Sequence, residues 1–483
     1  MHMRISYIFI RLVIALSLVV VLFLVVGLST DSLRADDEQR SIDHEMTVQR
    51  ACQAAIWAMP AVGIWDIAYS IQRDLGGEIG DVVYFTKPMT SRHGFLTAND
   101  VTPYVIAALT NKGGPLVVEV PAATDKTSFF GTFVDAWDVP IADVGPTGAD
   151  KGKGGRYLFL PPGYEGDVPD GYLVYRPNTY SVNFAFRPVS KNGGTLEEAV
   201  AYGQTLQTYK LSEAKNPPNT KFIDAYPKTW NTLPVYDISY FRDIDAFVQN
   251  EPVLEQDKAM MALLAGIGIE KGKPFEPDEE MTRTLEEGLK CAYASMQSYF
   301  TTPGKAMVPY WESINWQVWK FAEGQPEAGF PYVTKDRVLV DERAGGAYFW
   351  ITYLPKSLGG GTFYLTGLRD KDGELFDGTS TYRLRVPKDT PAKDFWSAIV
   401  YSMKTKGFVK GVDRVGLSSK NKDTMKLNED GSVDIYFAPK APKGMESNWI
   451  PTGEDFFLLF RLYGPDKPLF DKSWTLSDVE KVK

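Results

Sequence analysis

The spacing of apolar residues changes twice along this chain, and each change marks a different kind of element. Between about residues 255 and 300, Met260, Met261, Leu263, Leu264 and Ile267, then Met281, Leu285, Leu289, Ala292, Met296 and Tyr299, recur at intervals of three and four. That is the period of amphipathic helices. Pro277 stands where the first turn of the second helix tolerates it. On either side the period drops towards two. Residues 116–120, 129–139, 157–160 and 182–187 read as strands, and after the helical pair the chain returns mainly to strands, with Asp372-Gly373 and Asp430-Gly431 as hairpin turns. The 42 glycines and 31 prolines are spread along the chain, as many tight turns require. Two further helices are expected. One covers 46–59 and is ended by Pro60; the other is opened by Thr195 with Glu198 three residues on, a capping-box pattern.

A chain of 483 residues is too long for one core. The reading is an α+β, multidomain protein: a β-rich N-terminal module with flanking helices over 46–254, a helical hairpin and connector over 255–330, then an antiparallel β-sandwich over 331–483. Ahead of these, Arg4 and Arg11 precede a stretch from 12 to 28 that is apolar apart from Ser17, followed by the acidic Asp36-Asp37-Glu38. Residues 1–35 therefore read as a signal peptide or as an uncleaved inner-membrane anchor. The expected location is periplasmic or secreted, with membrane contact only through an uncleaved leader.

Seven stretches near the C-terminus resemble domain of unknown function 1214: Asp377-Gly378, Tyr382-Arg383-Leu384, Pro387, Phe395-Trp396-Ser397, residues 428–436, Asn448-Trp449-Ile450-Pro451 and Arg461-Leu462-Tyr463-Gly464-Pro465. The resemblance implies a sandwich of jelly-roll type. In the first half, the run 97–104, then 115–121, then 150–157 leading into Leu160-Pro161-Pro162-Gly163-Tyr164, are similar to domain of unknown function 1254, and Gly266-Ile267-Gly268 with 271–275 is similar to that family's connecting segment. Two departures bear on chemistry. Many relatives have Asn-x-Asp-Thr where this chain has Val101 before Thr102, its acid displaced to Asp100; they often have Tyr-Asp where this chain has Tyr401-Ser402.

Composition removes several function classes. The net charge of -9 comes without a basic block, so nucleic acid is not an expected partner. Three histidines, His2, His44 and His93, make a multi-histidine zinc site improbable, and two cysteines exclude a paired-cysteine one. Cys52 and Cys291 are either a disulfide, which an exported chain permits, or buried free thiols. His93 could serve a hydrolase as base, but no Gly-x-Ser-x-Gly elbow accompanies it. A loop role for it is commoner.

Oxygen ligands, arginines and rings remain. Asn183 and Arg187 share one face of their strand, which is either a solvated surface or the wall of a site where Arg187 grips a carboxylate or phosphate. Trp137 is either core or a stacking wall. Arg383 and Arg385 make either a surface or an anion site, and Asp370, Asp372, Glu374 and Asp377 either a solvated turn or a Ca²⁺ site. Trp311, Trp316 and Trp319 fit one helix face. Two functions are thus carried forward. The first is a metal-assisted hydrolase of phosphate or carboxylic esters, with Asp100, Asp135, Asp138 or His93 as catalytic candidates and Ca²⁺ or Mg²⁺ as cofactor. The second is a protein that binds a small molecule or anion without turnover, through Asn99, Tyr104, Trp137, Asn183 and Arg187. A homo-oligomer is compatible with either.

Overall fold

The structure, a computed structural model, describes residues 39–320, 332–349 and 361–482. The leader expected over 1–35 lies outside them.

The first described element is a helix, Gln39–Leu75, and most of it is buried. Its length and apolar character would suffice to cross a membrane, yet 89% of its most apolar window is packed inside the molecule. It runs straight through Pro60, where sequence alone places an end. A proline inside a helix costs about 3 kcal/mol. Here Ala54, Ala55, Trp57, Ala58 and Met59 before it and Ala61, Val62, Ile64 and Ile67 after it are all buried, so tertiary packing on both sides outweighs that cost. The helix closes in a π-type turn, Ile71–Leu75, capped by Gly76 at φ 69.

Two sheets form the N-terminal module. In the larger, strands Phe222–Asp224, Val82–Tyr84, Val105–Thr110, Ser181–Ser190, Thr127–Val134 and Pro140–Val144 lie side by side in that order. The smaller orders Gln207–Lys210, Leu116–Val120, Gly155–Phe159 and Leu173–Tyr175. Val105, Ala107, Leu109, Phe133, Val182, Phe184 and Phe186 of one meet Leu116, Val118, Val120, Tyr157 and Phe159 of the other in a shared core. Because strand residues alternate, Ile106, Ala108 and Ala185 point the other way and join the long helix. The helix Leu196–Gly203 opens with the capping box of Thr195 and Glu198.

A helical segment follows, with Ile238–Asn250, Lys258–Ala265 and Glu279–Thr301. The last crosses the first helix at backbone contact: a Cβ on Gly288 would come within 2.5 Å of Ala51 Cβ and 2.6 Å of the Val48 carbonyl oxygen. Cys52 and Cys291 flank this crossing as free thiols.

The C-terminal module is a sandwich. Its larger sheet runs Met307–Pro309, Trp316–Trp319, Thr362–Gly367, Phe456–Pro465, Ala392–Ser402, Gly416–Ser418, and its smaller Trp449–Pro451, Val433–Ala438, Thr381–Val386, Glu480–Val482. The larger sheet therefore takes its first two strands from before residue 331, and a helix, Val340–Phe349, interrupts the strands after it. Trp316 and Trp319 sit in a strand, not a helix, and serve two different cores. Leu365, Trp396, Val400, Leu458, Phe460 and Leu462 face the second sheet. Ile399, Tyr401, Phe457 and Leu459, on the opposite face, join the same buried cluster as the long helix and Ala185. The two modules thus share one continuous core.

Candidate functional site

Where the modules meet, a charge is buried among rings. The strand Phe456–Pro465 is apolar on both faces except at Arg461, which is 2% exposed. Its neighbours across the sheet are Tyr364 on one side and Ser397 on the other. Its guanidinium lies over the rings of Tyr364 and Tyr401, at 5.0 and 5.5 Å. It reaches into the other module: Nη2 donates to the Thr97 carbonyl at 2.6 Å and Nη1 to the Ala98 carbonyl at 3.3 Å. The Tyr401 hydroxyl donates to the same Ala98 oxygen.

The segment that receives these bonds is held in an uncommon shape. Thr97 has φ 41, a left-handed conformation that a β-branched residue rarely adopts. Each of its polar atoms is tied to a different part of the chain: its N–H donates to Lys406 O at 2.8 Å, its hydroxyl to Phe349 O at 3.1 Å, and its carbonyl accepts from Arg461. Asn99 closes the turn beyond it by accepting the Val101 N–H at 2.8 Å and donating to the Thr102 hydroxyl. The sequence candidate Asn99 is therefore a turn former that presents its neighbours.

Asp100 follows. Its Oδ1 is enclosed without a partner, although the residue as a whole keeps some access to solvent. Burial lifts its pKa to about 6, against the opposing pull of Arg461. Gly416 is what lets it lie there, since a Cβ at that position would stand 2.7 Å from Asp100 Oδ2.

Two spaces adjoin this centre. A small one of about 20 Å³ is lined by Thr97, Tyr104, Phe130, Tyr364, Arg187 and Arg461. A cleft of about 730 Å³ opens beside it between the modules and shares Phe130 and Arg187 with it. Its wall includes Pro103, Phe130, Leu196, Phe395 and Tyr463, and its charged residues are Arg187, Lys191, Lys393 and Lys420 against a lone Asp394. Phe395 and Tyr463 stack with centroids 4.0 Å apart, and the Lys420 ammonium lies 4.0 Å above the Phe395 ring. Burial lowers the Lys420 pKa, offset in part by Asp394. Three buried polar atoms near this boundary have no partner: Arg461 Nε, Tyr463 Oη and Ser397 Oγ.

The sequence candidates divide among several places. Arg187 and Tyr104 belong to this site. Asn183 shares the strand face of Arg187 but lines a separate cavity of about 100 Å³ with Trp65, Lys112 and Glu251. Trp137 is core, packed at 4.8 Å from Trp57 and 4.7 Å from Phe247, with the Arg343 guanidinium 4.3 Å above its ring. Asp135 forms the turn beside it, its Oδ1 accepting the N–H groups of Trp137 and Val139, and burial brings its pKa to about 6. Asp138 occupies that same turn at φ 60. His93 is buried rather than in an open loop; its Nδ1 accepts the Thr90 N–H at 2.9 Å, and burial lowers its pKa. Asp100 and Asp135 have different surroundings and are not offered together to one Ca²⁺ or Mg²⁺ ion. Among the described residues no three His, Cys, Asp or Glu side chains form such a group. Asp370 and Asp377 cap their own turn by accepting backbone N–H groups. Arg383 and Arg385 pair with Glu480 and Asp434 at the surface.

The sequence reading did not single out Arg461, Tyr364, Tyr401 or Tyr463 as site residues. The usable signal was one charge within an apolar run too continuous for a half-exposed strand.

Comparison with known proteins agrees with this architecture. The family described as protein of unknown function (DUF1254) matches residues 79–210, and protein of unknown function (DUF1214) matches 361–467. The crystal structure of the VPA0106 protein from Vibrio parahaemolyticus is similar over 90% of this chain and all of its own, with a TM-score of 0.53 at 18% identity, a likeness of fold. An uncharacterized protein from Burkholderia cenocepacia overlaps 92% of this chain and 97% of its own, at 11% identity and a TM-score of 0.38. No curated protein matches the sequence. The chain thus carries a match to domain of unknown function 1254 on its N-terminal side and to domain of unknown function 1214 on its C-terminal side.

Proposed function

We propose that this protein binds a small anionic molecule in the cleft between its modules, without turnover. The observation that carries the reading is that Arg187 of one module and Arg461 of the other line one small cavity that adjoins the cleft. Guanidinium groups present planar donor forks suited to carboxylate and phosphate, and burial strengthens such bonds by excluding water. Buried polar atoms without partners are uncommon in folded proteins, and Arg461 Nε and Tyr463 Oη are such atoms on residues that line the cavity and the cleft. The cleft volume of about 730 Å³ falls within the usual span for small-molecule sites. Lys393 and Lys420 at its wall would draw an anion inward.

A hydrolase reading has less support. Asp100, with its pKa near 6, could exchange a proton at neutral pH, but no nucleophile or base is hydrogen-bonded to it among the described residues. The basic character of the leader, followed by its apolar run, supports a periplasmic or secreted setting for the binding.

Calorimetric titration of the full chain with a panel of carboxylates, phosphate esters and sulfonates tests the reading. At least one is expected to bind, at least about tenfold more weakly in Arg187→Gln and more weakly as salt is raised. Absence of binding across the panel, or equal affinity in the variant, refutes it.

A further inference from the structure

We infer that the anion is a monocarboxylate carrying an apolar body, its carboxylate at the two arginines and its body in the outer cleft. This rests on the anion-binding reading and narrows it to one chemical class.

The argument is one of size and lining. The small space lined by Arg187 and Arg461 has room for about 20 Å³, and a single water needs about 10–15 Å³ on that measure. It therefore admits one oxygen atom at a time. A carboxylate can insert one oxygen there and leave the second at the boundary, where Arg187 faces both spaces. A phosphate or sulfonate has three terminal oxygens around a bulkier centre, so two charged oxygens would have to stay outside. Beyond the boundary the cleft wall presents the Phe130 ring and the stacked Phe395 and Tyr463 rings together with Lys191, Lys393 and Lys420, so oxygens left there are outside the arginine pair. The same rings, with Pro103 and Leu196, suit a hydrocarbon chain or an aryl group. The remaining volume is far larger than any head group needs, so most of the ligand is body.

The test compares molecules that share a body or a head: octanoate, octyl phosphate, 1-octanol and acetate, titrated into the full chain by calorimetry. Octanoate is expected to bind at least about tenfold more tightly than each of the others. In Leu196→Gln, a change on a partly exposed helix residue that keeps the fold, octanoate should weaken severalfold while acetate does not change. Octyl phosphate binding as well as octanoate would overturn the carboxylate assignment and leave the anion reading standing. Acetate matching octanoate, or octanoate unaffected in Leu196→Gln, would overturn the apolar body. If octanol matches octanoate, the arginines are not recognising its charge and the carboxylate assignment falls, as it does if none of the four binds, while the anion reading falls only if the wider panel fails as well.

Discussion

Asp100→Asn is expected to make the protein more stable at neutral pH and to leave it unchanged in acid. The folded chain raises this carboxyl from 3.8 to about 6 because burial disfavours its charge more than Arg461 restores it. A raised pKa on an acid means that the folded state binds the proton more tightly than the unfolded one. Between pH 4 and 6 the folded chain therefore holds more protons, and stability falls as pH rises through that window, then stays at its lower level above it. Two pKa units correspond to about 3 kcal/mol, and the residue's partial access to solvent brings this to about 2 kcal/mol. Asparagine copies the neutral acid in shape and hydrogen-bonding capacity, so the variant should recover that amount above pH 7 and nothing near pH 4. With an unfolding entropy of roughly 1 kcal/mol per degree for a chain of this length, the melting temperature should rise by about 2 °C at pH 7.5. Scanning calorimetry of both proteins from pH 4 to 8 measures it. Arg461→Met supplies the converse: without the cation the Asp100 midpoint should move above 6. A lower melting temperature for Asp100→Asn at pH 7.5, or a difference that does not vary with pH, would refute the electrostatic account of this site.

Two further outcomes concern the scaffold. Cys52 and Cys291 flank the helix crossing as free thiols, and burial, then the neighbouring Cys291, push the Cys52 thiol up to about 12; their proximity should let a small disulfide oxidant join them within one chain, slowly at neutral pH because little of Cys52 is thiolate. The bond would close a very long loop and add up to about 5 kcal/mol, and the idea fails if peptide mass spectrometry finds both thiols still open to alkylation or finds only links between chains. Gly288→Ala improves intrinsic helix propensity by about 1 kcal/mol but drives a methyl into Ala51 Cβ and the Val48 carbonyl, an overpacking worth about 3 kcal/mol. A net loss of about 2 kcal/mol in denaturant titration is expected, and an unchanged or higher midpoint would show that the two helices do not cross this closely.

The α+β organisation was legible because hydrophobic period survives in sequence: the capping box at Thr195 and the strand face shared by Asn183 and Arg187 both appear in the structure. Pro60 misled because its local cost is outweighed by packing on both sides, a quantity the local sequence does not carry. Asn183 and Arg187 were grouped too closely for a metric reason. Four residues along a strand span about 13 Å, enough to place them in different cavities. The arginine that completes the site was hidden more deeply. Its partners are main-chain carbonyls of Thr97 and Ala98, and since every residue has a carbonyl, no residue type marks the recipient.

That dependence on main chain also means that the arrangement of the seam does not rest on the side chains of Asp100 or Ser402. The bonds from Arg461 and Tyr401 need only that the backbone from Thr97 to Ala98 keep its shape, and that shape is held by Lys406, Phe349 and Asn99 through atoms that do not depend on either side chain. A left-handed conformation at a β-branched residue costs on the order of 1 kcal/mol or more and persists where its surroundings over-determine it. Here three separate parts of the chain tie Thr97 in place, and all three lie beyond residue 340. The seam between the modules and the wall of the cavity are therefore the same residues, so a ligand that engages Arg187 and Arg461 together also bridges the modules and should stabilise their docking.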